Sequence, residues 1–243
     1  MSKKFIVLTS GRAGSTALMD FLESFDDVAL PNKNIACRDN ELLHTDRIKE
    51  HFIKYQELCN KPVSNQEDLI ERFFEYNSKI PYAGFKSMPT RHIHFGQLIA
   101  RQDIRFIILT RKDICSTIAS FFVAVHTGSW RRSGEPQTVK WQFRQENVQQ
   151  VLDHLRYIYK SEKLLGQIEN GVRITYEDLC SPYFNNYELN DFFKRTVKLE
   201  NPKKPVTAAD YVVNWAEFKK FVEVSSQRLH LLHAKQYKKG QVD

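Results

Sequence analysis

The apolar pattern is densest at the start of the chain. Four consecutive apolar residues, Phe5-Ile6-Val7-Leu8, are too few for a helix and suit a strand buried on both faces. The chain then turns through Thr9-Ser10-Gly11-Arg12-Ala13-Gly14. Leu18, Phe21, Leu22 and Phe25 follow at helical spacing, which predicts a helix from about Ser15. Val28-Ala29-Leu30 reads as a short strand ending at Pro31, and residues 32–40 as a polar, turn-rich connection to Glu41-Leu42-Leu43. Helices are expected over residues 45–58 and 66–77, the second with Leu69, Ile70, Phe73 and Phe74 as a core stripe. Residues 82–86, YAGFK, form a strand ending in lysine before a Ser-Met-Pro turn. Residues 105–110, RFIILT, form the other clear buried strand and run into Arg111-Lys112-Asp113. A helix follows with Ile114, Ile118, Phe121, Phe122 and Val125 on one face. Residues 126–138, with two glycines, a proline and Trp130-Arg131-Arg132, read as a loop over a site. A long helix then carries Val148, Val151, Leu152, Leu155, Ile158 and Tyr159 in register. Residues 172–175 are a strand with Tyr176-Glu177-Asp178-Leu179 at its carboxyl end. The last third is more helical, with Trp215, Phe218, Phe221 and Val222 at helical spacing.

Alternating strands and helices of this kind predict an α/β fold: a P-loop-like parallel sheet flanked by helices on both faces, with a more helical C-terminal third. Ligands in such sheets bind at the carboxyl ends of the strands. Four segments sit there: residues 9–16, Lys86, residues 111–120 and Tyr176. The first is a buried strand feeding a glycine turn feeding a helix, which suits an anion, because free N–H groups and the helix dipole face it. Gly11 and Gly14 permit positive φ or close approach, and Arg12, Ser15 and Thr16 add side-chain donors. It is not a Walker A loop: two residues separate the glycines, and Ser15 rather than lysine follows. The plainer alternative is a tight βα turn. Arg111 ends a core strand where a P-loop NTPase would carry an aspartate for Mg²⁺. An arginine there suits bidentate clamping of a second phosphate; a structural salt bridge is the alternative.

Length and composition narrow this further. At 243 residues the chain is expected to form a single α/β domain over residues 1–243, with a core that needs no staples. No apolar run approaches the length of a membrane span, and the first strand follows MSKK directly, so no signal peptide is expected. Cys37, Cys59, Cys115 and Cys180 are scattered without metal spacing and read as reduced thiols of a cytoplasmic protein. The net charge of +7 fits an anionic ligand. It is spread in short clusters (Lys203-Lys204, Lys219-Lys220, Lys238-Lys239), and no nucleic-acid motif accompanies it. His92 and His94 form an HxH pair with no evident third ligand, so they read as surface histidines and no metal is expected.

Taken together, the segments resemble the sulfotransferase family. TSGRAGSTAL is similar to its 5′-phosphosulfate loop, and LTRKDICSTIAS to its 3′-phosphate segment. The likeness is nearest to bacterial carbohydrate sulfotransferases of the trehalose and Nod-factor sulfotransferase type. Their run R-x-D-x-x-x-x-A-x-S continues into an alanine and Thr-Gly-x-Trp. Here these positions are Arg111, Asp113, Ile118, Ser120, Ala124, Thr127-Gly128 and Trp130. Gly84-Phe85-Lys86, Glu41-Leu42-Leu43 and residues 175–179, TYEDL, are similar too. The likeness spans residues 5–180. Ser10-Gly11 precede Arg12 where the family has Pro-Arg or Pro-Lys. Ile118 stands where relatives have alanine, so Ser116 is a second candidate for the phosphate.

The resemblance implies transfer of a sulfuryl group from 3′-phosphoadenosine 5′-phosphosulfate (PAPS) to an acceptor hydroxyl, leaving 3′-phosphoadenosine 5′-phosphate (PAP), with no metal required. The acceptor it implies is a sugar or glycolipid rather than a nucleic acid. Arg12, Ala13, Gly14, Ser15 and Thr16 would hold the 5′-phosphosulfate, and Arg111 and Ser120 the 3′-phosphate. Tyr176 would lie near the adenine, and Lys86 would reach the sulfuryl oxygens or the acceptor. Glu41 would take the acceptor proton, with Asp39 as its alternate. Two other readings stay open: a P-loop small-molecule kinase using ATP, and a non-enzymatic basic nucleotide- or RNA-binding module.

Overall fold

A computed structural model describes residues 2–35, 40–44, 46–128, 140–197 and 212–239. Close contacts divide the chain into two units that alternate along the sequence, one of residues 1–111 and 161–203, the other of residues 112–160 and 204–243.

Among the described residues the first unit holds five parallel strands in the order β2-β3-β1-β4-β5. They are β1 (Lys3–Thr9), β2 (Val28–Ala29), β3 (Tyr82–Ser87), β4 (Ile104–Thr110) and β5 (Gly171–Thr175). β1 lies at the centre, paired with β3 on one side (Val7 opposite Lys86) and β4 on the other (Val7 opposite Ile107). Its apolar run serves both faces of the sheet. Ile6 and Leu8 join a cluster with Tyr55, Phe73, Phe85, Leu98 and Ile108, whereas Phe5 and Val7 join Leu18, Leu22, Ile107, Leu189 and Phe193. The first cluster draws on α3 (Ile48–Cys59), α4 (Gln66–Tyr76) and α5 (Phe95–Ile99), and the second on α1 (Ser15–Glu23), α8 (Tyr176–Leu179) and α9 (Tyr187–Phe193). Helices therefore flank the sheet on both faces, and the fold is α/β as expected.

Local chemistry sets the helix boundaries. Asn65 caps α4 by accepting from the Asp68 N–H at 2.9 Å. Thr175 and Asp178 form a reciprocal capping box: Thr175 Oγ1 accepts from the Asp178 N–H at 3.2 Å, and Asp178 Oδ2 accepts from the Thr175 N–H at 3.1 Å. The TYEDL segment is thus a strand end turned into a helix start, with Tyr176 fixed at the first helical position. Two expectations need correction. The connection after β2 is not irregular throughout, because α2 (Pro31–Ile35) occupies its first half; Pro31, read as a stop, is preorganised for the first turn of a helix. The helix expected from residue 45 starts at Ile48. After β3 a 3-10 turn (Pro89–Arg91) and α5 supply short elements that periodicity does not reveal.

The second unit is built from α6 (Ile114–Thr127), the larger part of α7 (Val148–Gly166) and α10 (Trp215–Lys239). Its core joins Phe122, Trp141, Phe143, Leu155, Phe218 and Val222, with the Phe122 and Trp141 rings stacked at 5.0 Å. Asn214 closes it by bonding both backbone groups of Phe143, at 2.9 and 2.8 Å. Burial pushes the Cys115 thiol up to about 12, so it stays protonated and inert. No described helix is long and apolar enough to cross a membrane. The expected loop over residues 126–138 lies outside the described residues from 129 onward, as do Cys37 and Lys203-Lys204.

Gly84 is opposite Phe5 in the register, and a Cβ built on it would lie 2.4 Å from the Phe5 ring. Gly84→Ala should cost about 1–3 kcal/mol by overpacking. Urea denaturation should show the loss, and Phe5→Leu should reduce it. A Gly84→Ala chain as stable as the parent would mean that the ring has room to move.

Candidate functional site

Residues 9–16 leave β1 at the point where the strand order reverses, which is where open α/β sheets present a crevice. The loop is wound by left-handed residues: φ is +90° at Gly11, +52° at Arg12 and +81° at Gly14. Such windings turn successive N–H groups toward one concavity. Thr9 Oγ1 accepts from the Gly11 N–H at 3.3 Å, bracing the turn from inside. Gly14 is the N-cap of α1 and offers no side-chain cap to the N–H groups of the first turn, and that turn carries no acidic residue. Ala13 is fully buried and its methyl belongs to the core, so it has only its backbone to offer a ligand. Ser15 is buried, while Arg12 and Thr16 are half-buried.

Gly14 is required for a second reason. A Cβ there would fall 2.2 Å from Cδ2 of Tyr176, so the tyrosine ring lies directly on the glycine. On the same ring rests the guanidinium of Arg111, 4.8 Å from the centroid. Arg111 Nε is buried and has no hydrogen-bond partner among the described residues. The Cys180 thiol, raised by burial, also bonds Tyr176. The loop, the tyrosine and the strand-end arginine, far apart in sequence, thus form one contiguous group.

On the other side of β1, Lys86 and Ser87 end β3, and both are buried. Met88 comes next, and its Cε would lie 3.5 Å from a Cβ on Gly11. Glu41 forms a parallel bridge with Lys86, extending the sheet on the side of β3 that β2 occupies. The Glu41 carboxylate is buried and ion-paired with Arg91. Sequence reasoning missed Arg91, which reaches Glu41 across fifty positions of the chain; its one local signal is a basic residue just after a strand end. It also missed Asn40 and His51, which hold the segment around Glu41. Asp39 lies outside the described residues.

The second unit holds Ser120, half-buried on α6. Ser116, the alternative phosphate ligand, is buried and committed to the N-cap: its N–H and hydroxyl both donate to Asp113, at 2.9 and 2.5 Å. Of the HxH pair, His94 is exposed, whereas His92 is not the surface residue expected. Burial holds it down at about 4, and its Nε2 has no partner among the described residues. Among the described residues no three His, Cys, Asp or Glu side chains come together as a metal-binding group. Neither models of known protein families nor curated proteins match this chain.

In one row along the carboxyl edge of the sheet stand Glu41, Lys86, residues 9–16, Arg111 and Tyr176, on successive strand positions roughly 4.8 Å apart. This arrangement can hold an extended, multiply charged anion against backbone N–H groups and a stacked guanidinium, with a carboxylate at one end.

The Tyr176 ring on Gly14 couples the two positions energetically. Gly14→Ala carries a left-handed backbone penalty of about 1–2 kcal/mol in any background. It should cost about 1 kcal/mol more with Tyr176 present than in Tyr176→Ala, within the usual range for contacting residues. A double-mutant cycle in urea measures this, and strict additivity would refute the contact.

Proposed function

We propose that this chain is a sulfotransferase that moves a sulfuryl group from PAPS to a hydroxyl of a carbohydrate acceptor. The observation that carries the reading is the order of groups along the carboxyl edge of the sheet. Read from Tyr176, the row offers an aromatic ring, a guanidinium, an N–H-lined loop, a lysine and a carboxylate. The donor and acceptor present their parts in the same order: adenine, 3′-phosphate, 5′-phosphosulfate, sulfuryl oxygens, acceptor hydroxyl. The motif likeness to carbohydrate sulfotransferases, which named the same residues from the sequence, agrees with that order.

Each residue then has a defined task. The N–H groups of residues 13–16, with Arg12 and the hydroxyls of Ser15 and Thr16, hold the 5′-phosphosulfate and stabilise the charge that grows on the leaving phosphate. Arg111 donates to the 3′-phosphate. Its buried Nε, left unsatisfied by the described chain, is consistent with a guanidinium whose partner is a ligand. Tyr176 lies beside the adenine while steadying Arg111. Lys86 faces the sulfuryl oxygens, and Glu41 takes the acceptor proton. Nothing in this scheme requires the chain to supply a metal ligand.

Removing Arg111 tests the reading. Charge-assisted hydrogen bonds are worth about 1.5–3 kcal/mol, so Arg111→Ala should weaken PAP binding roughly ten- to more than a hundredfold. Binding of 5′-AMP, which lacks the 3′-phosphate, should hardly change. Calorimetry with both ligands on both chains decides it, and equal losses for PAP and AMP would make Arg111 a structural residue of the Tyr176 stack.

A further inference from the structure

Glu41 is held more firmly than a carboxylate at a sheet edge needs to be. The residue before it, Asn40, is fully buried at φ +56°, a conformation asparagine tolerates because its side chain can bond locally. Asn40 Oδ1 accepts from the Asn32 N–H at 2.9 Å, and its Nδ2 donates to Glu23 at 3.0 Å. Asn32 Nδ2 donates to the other Glu23 oxygen at 2.6 Å. The residue after it, Leu42, has its carbonyl bonded at 2.6 Å by His51 Nδ1. A carbonyl can only accept, so Nδ1 carries a proton, and burial lowers the His51 pKa.

The carboxylate itself is held by Arg91, and Arg91 is anchored in turn. Gln66 grips the backbone on both sides of His92: its Nε2 donates to the Arg91 carbonyl at 2.8 Å, and its Oε1 accepts from the Ile93 N–H at 3.0 Å. The Arg91 N–H donates to the Met88 carbonyl at 3.0 Å. Gln66 opens the well-capped helix α4, so the grip is built on a rigid element. A buried ion pair adds little stability over apolar residues of the same size. Stability alone therefore does not account for this one, which sits beside Lys86 at the end of the row.

We infer that Arg91 is a positioning residue for the acceptor step. It fixes the direction in which Glu41 meets the acceptor hydroxyl and acts through Glu41 alone. The inference rests on the sulfotransferase reading. In the step, the acceptor oxygen forms a bond to sulfur as the bond from sulfur to the 5′-phosphate oxygen breaks. The electron pair of that bond leaves with PAP, and the acceptor proton passes to Glu41, which later releases it to solvent. A carboxylate misdirected by an ångström loses about a hundredfold in rate without loss of nucleotide affinity.

The test follows PAP release from PAPS, with water alone and with a panel of mono- and disaccharides, beside calorimetry of PAP. Arg91→Ala should slow release about a hundredfold while PAP affinity stays within about twofold of the parent. Added guanidinium ion should restore part of the rate. In a Glu41→Gln background Arg91→Ala should change little, and guanidinium should rescue nothing. Arg91→Lys, which keeps the buried charge, carries the same comparison if Arg91→Ala does not fold. A parent chain that neither binds PAP nor releases it from PAPS overturns the sulfotransferase reading. Binding of PAP without any release overturns the assignment of the acceptor step to this pair. Release by the Arg91 variants at the parent rate, or an equal loss with and without Glu41, overturns the role of Arg91 while leaving the rest of the reading in place.

Discussion

The central strand sets the rest of the arrangement. Because β1 is bonded on both edges and buried on both faces, its register fixes where β3 and β4 end, and both end level with the loop that leaves β1. Lys86 and Arg111 are delivered to opposite sides of that loop by backbone pairing rather than by side-chain contact. The loop is then closed from above by Tyr176, which β5 and the Thr175–Asp178 capping box hold over Gly14. Glycine at residue 14 satisfies two demands together: a left-handed backbone and the absence of a side chain where the ring lies.

The legible parts of the fold are those where one period dominates a stretch of sequence. The run Phe5-Ile6-Val7-Leu8 and the run RFIILT are strands buried on both faces, and the stripes of α1, α4, α6 and α7 recur at helical spacing. Short elements do not carry a full period. α2 and α5 are each too brief to show a stripe, and Pro31 signals both a stop and a start. In the candidate site, the loop, Lys86, Arg111 and Tyr176 were legible because each sits at the end of a recognisable strand. The Arg91–Glu41 pair was not, because it depends on a contact between distant segments that no local pattern encodes. Asn40 escaped for a related reason: its side chain is held by Asn32 and Glu23, eight and 17 positions earlier. Ser116 has a local role that its place in the motif did not show. It was a second candidate because Ile118 departs from the related pattern, and its N–H and hydroxyl both donate to Asp113.

The two ends of the row differ in how they are held. The end proposed to hold the nucleotide relies on backbone N–H groups and a stacked guanidinium, which suit fixed recognition of phosphate. The end proposed to meet the acceptor relies on a carboxylate braced through Asn40, Leu42 and Arg91, which suits accurate placement of one proton acceptor. Division of labour of this kind allows the donor site to be tested without knowing the acceptor.

The central claim is that the loop and Arg111 serve two separated phosphates of one nucleotide. Calorimetric titration of the intact chain with PAP in the absence of Mg²⁺, set beside Mg·ATP, tests it most directly. PAP should be the tighter ligand, and at a hundred times its dissociation constant it should stabilise the fold by about 2.7 kcal/mol. Tighter binding of Mg·ATP would contradict the account and favour a kinase built on the same sheet.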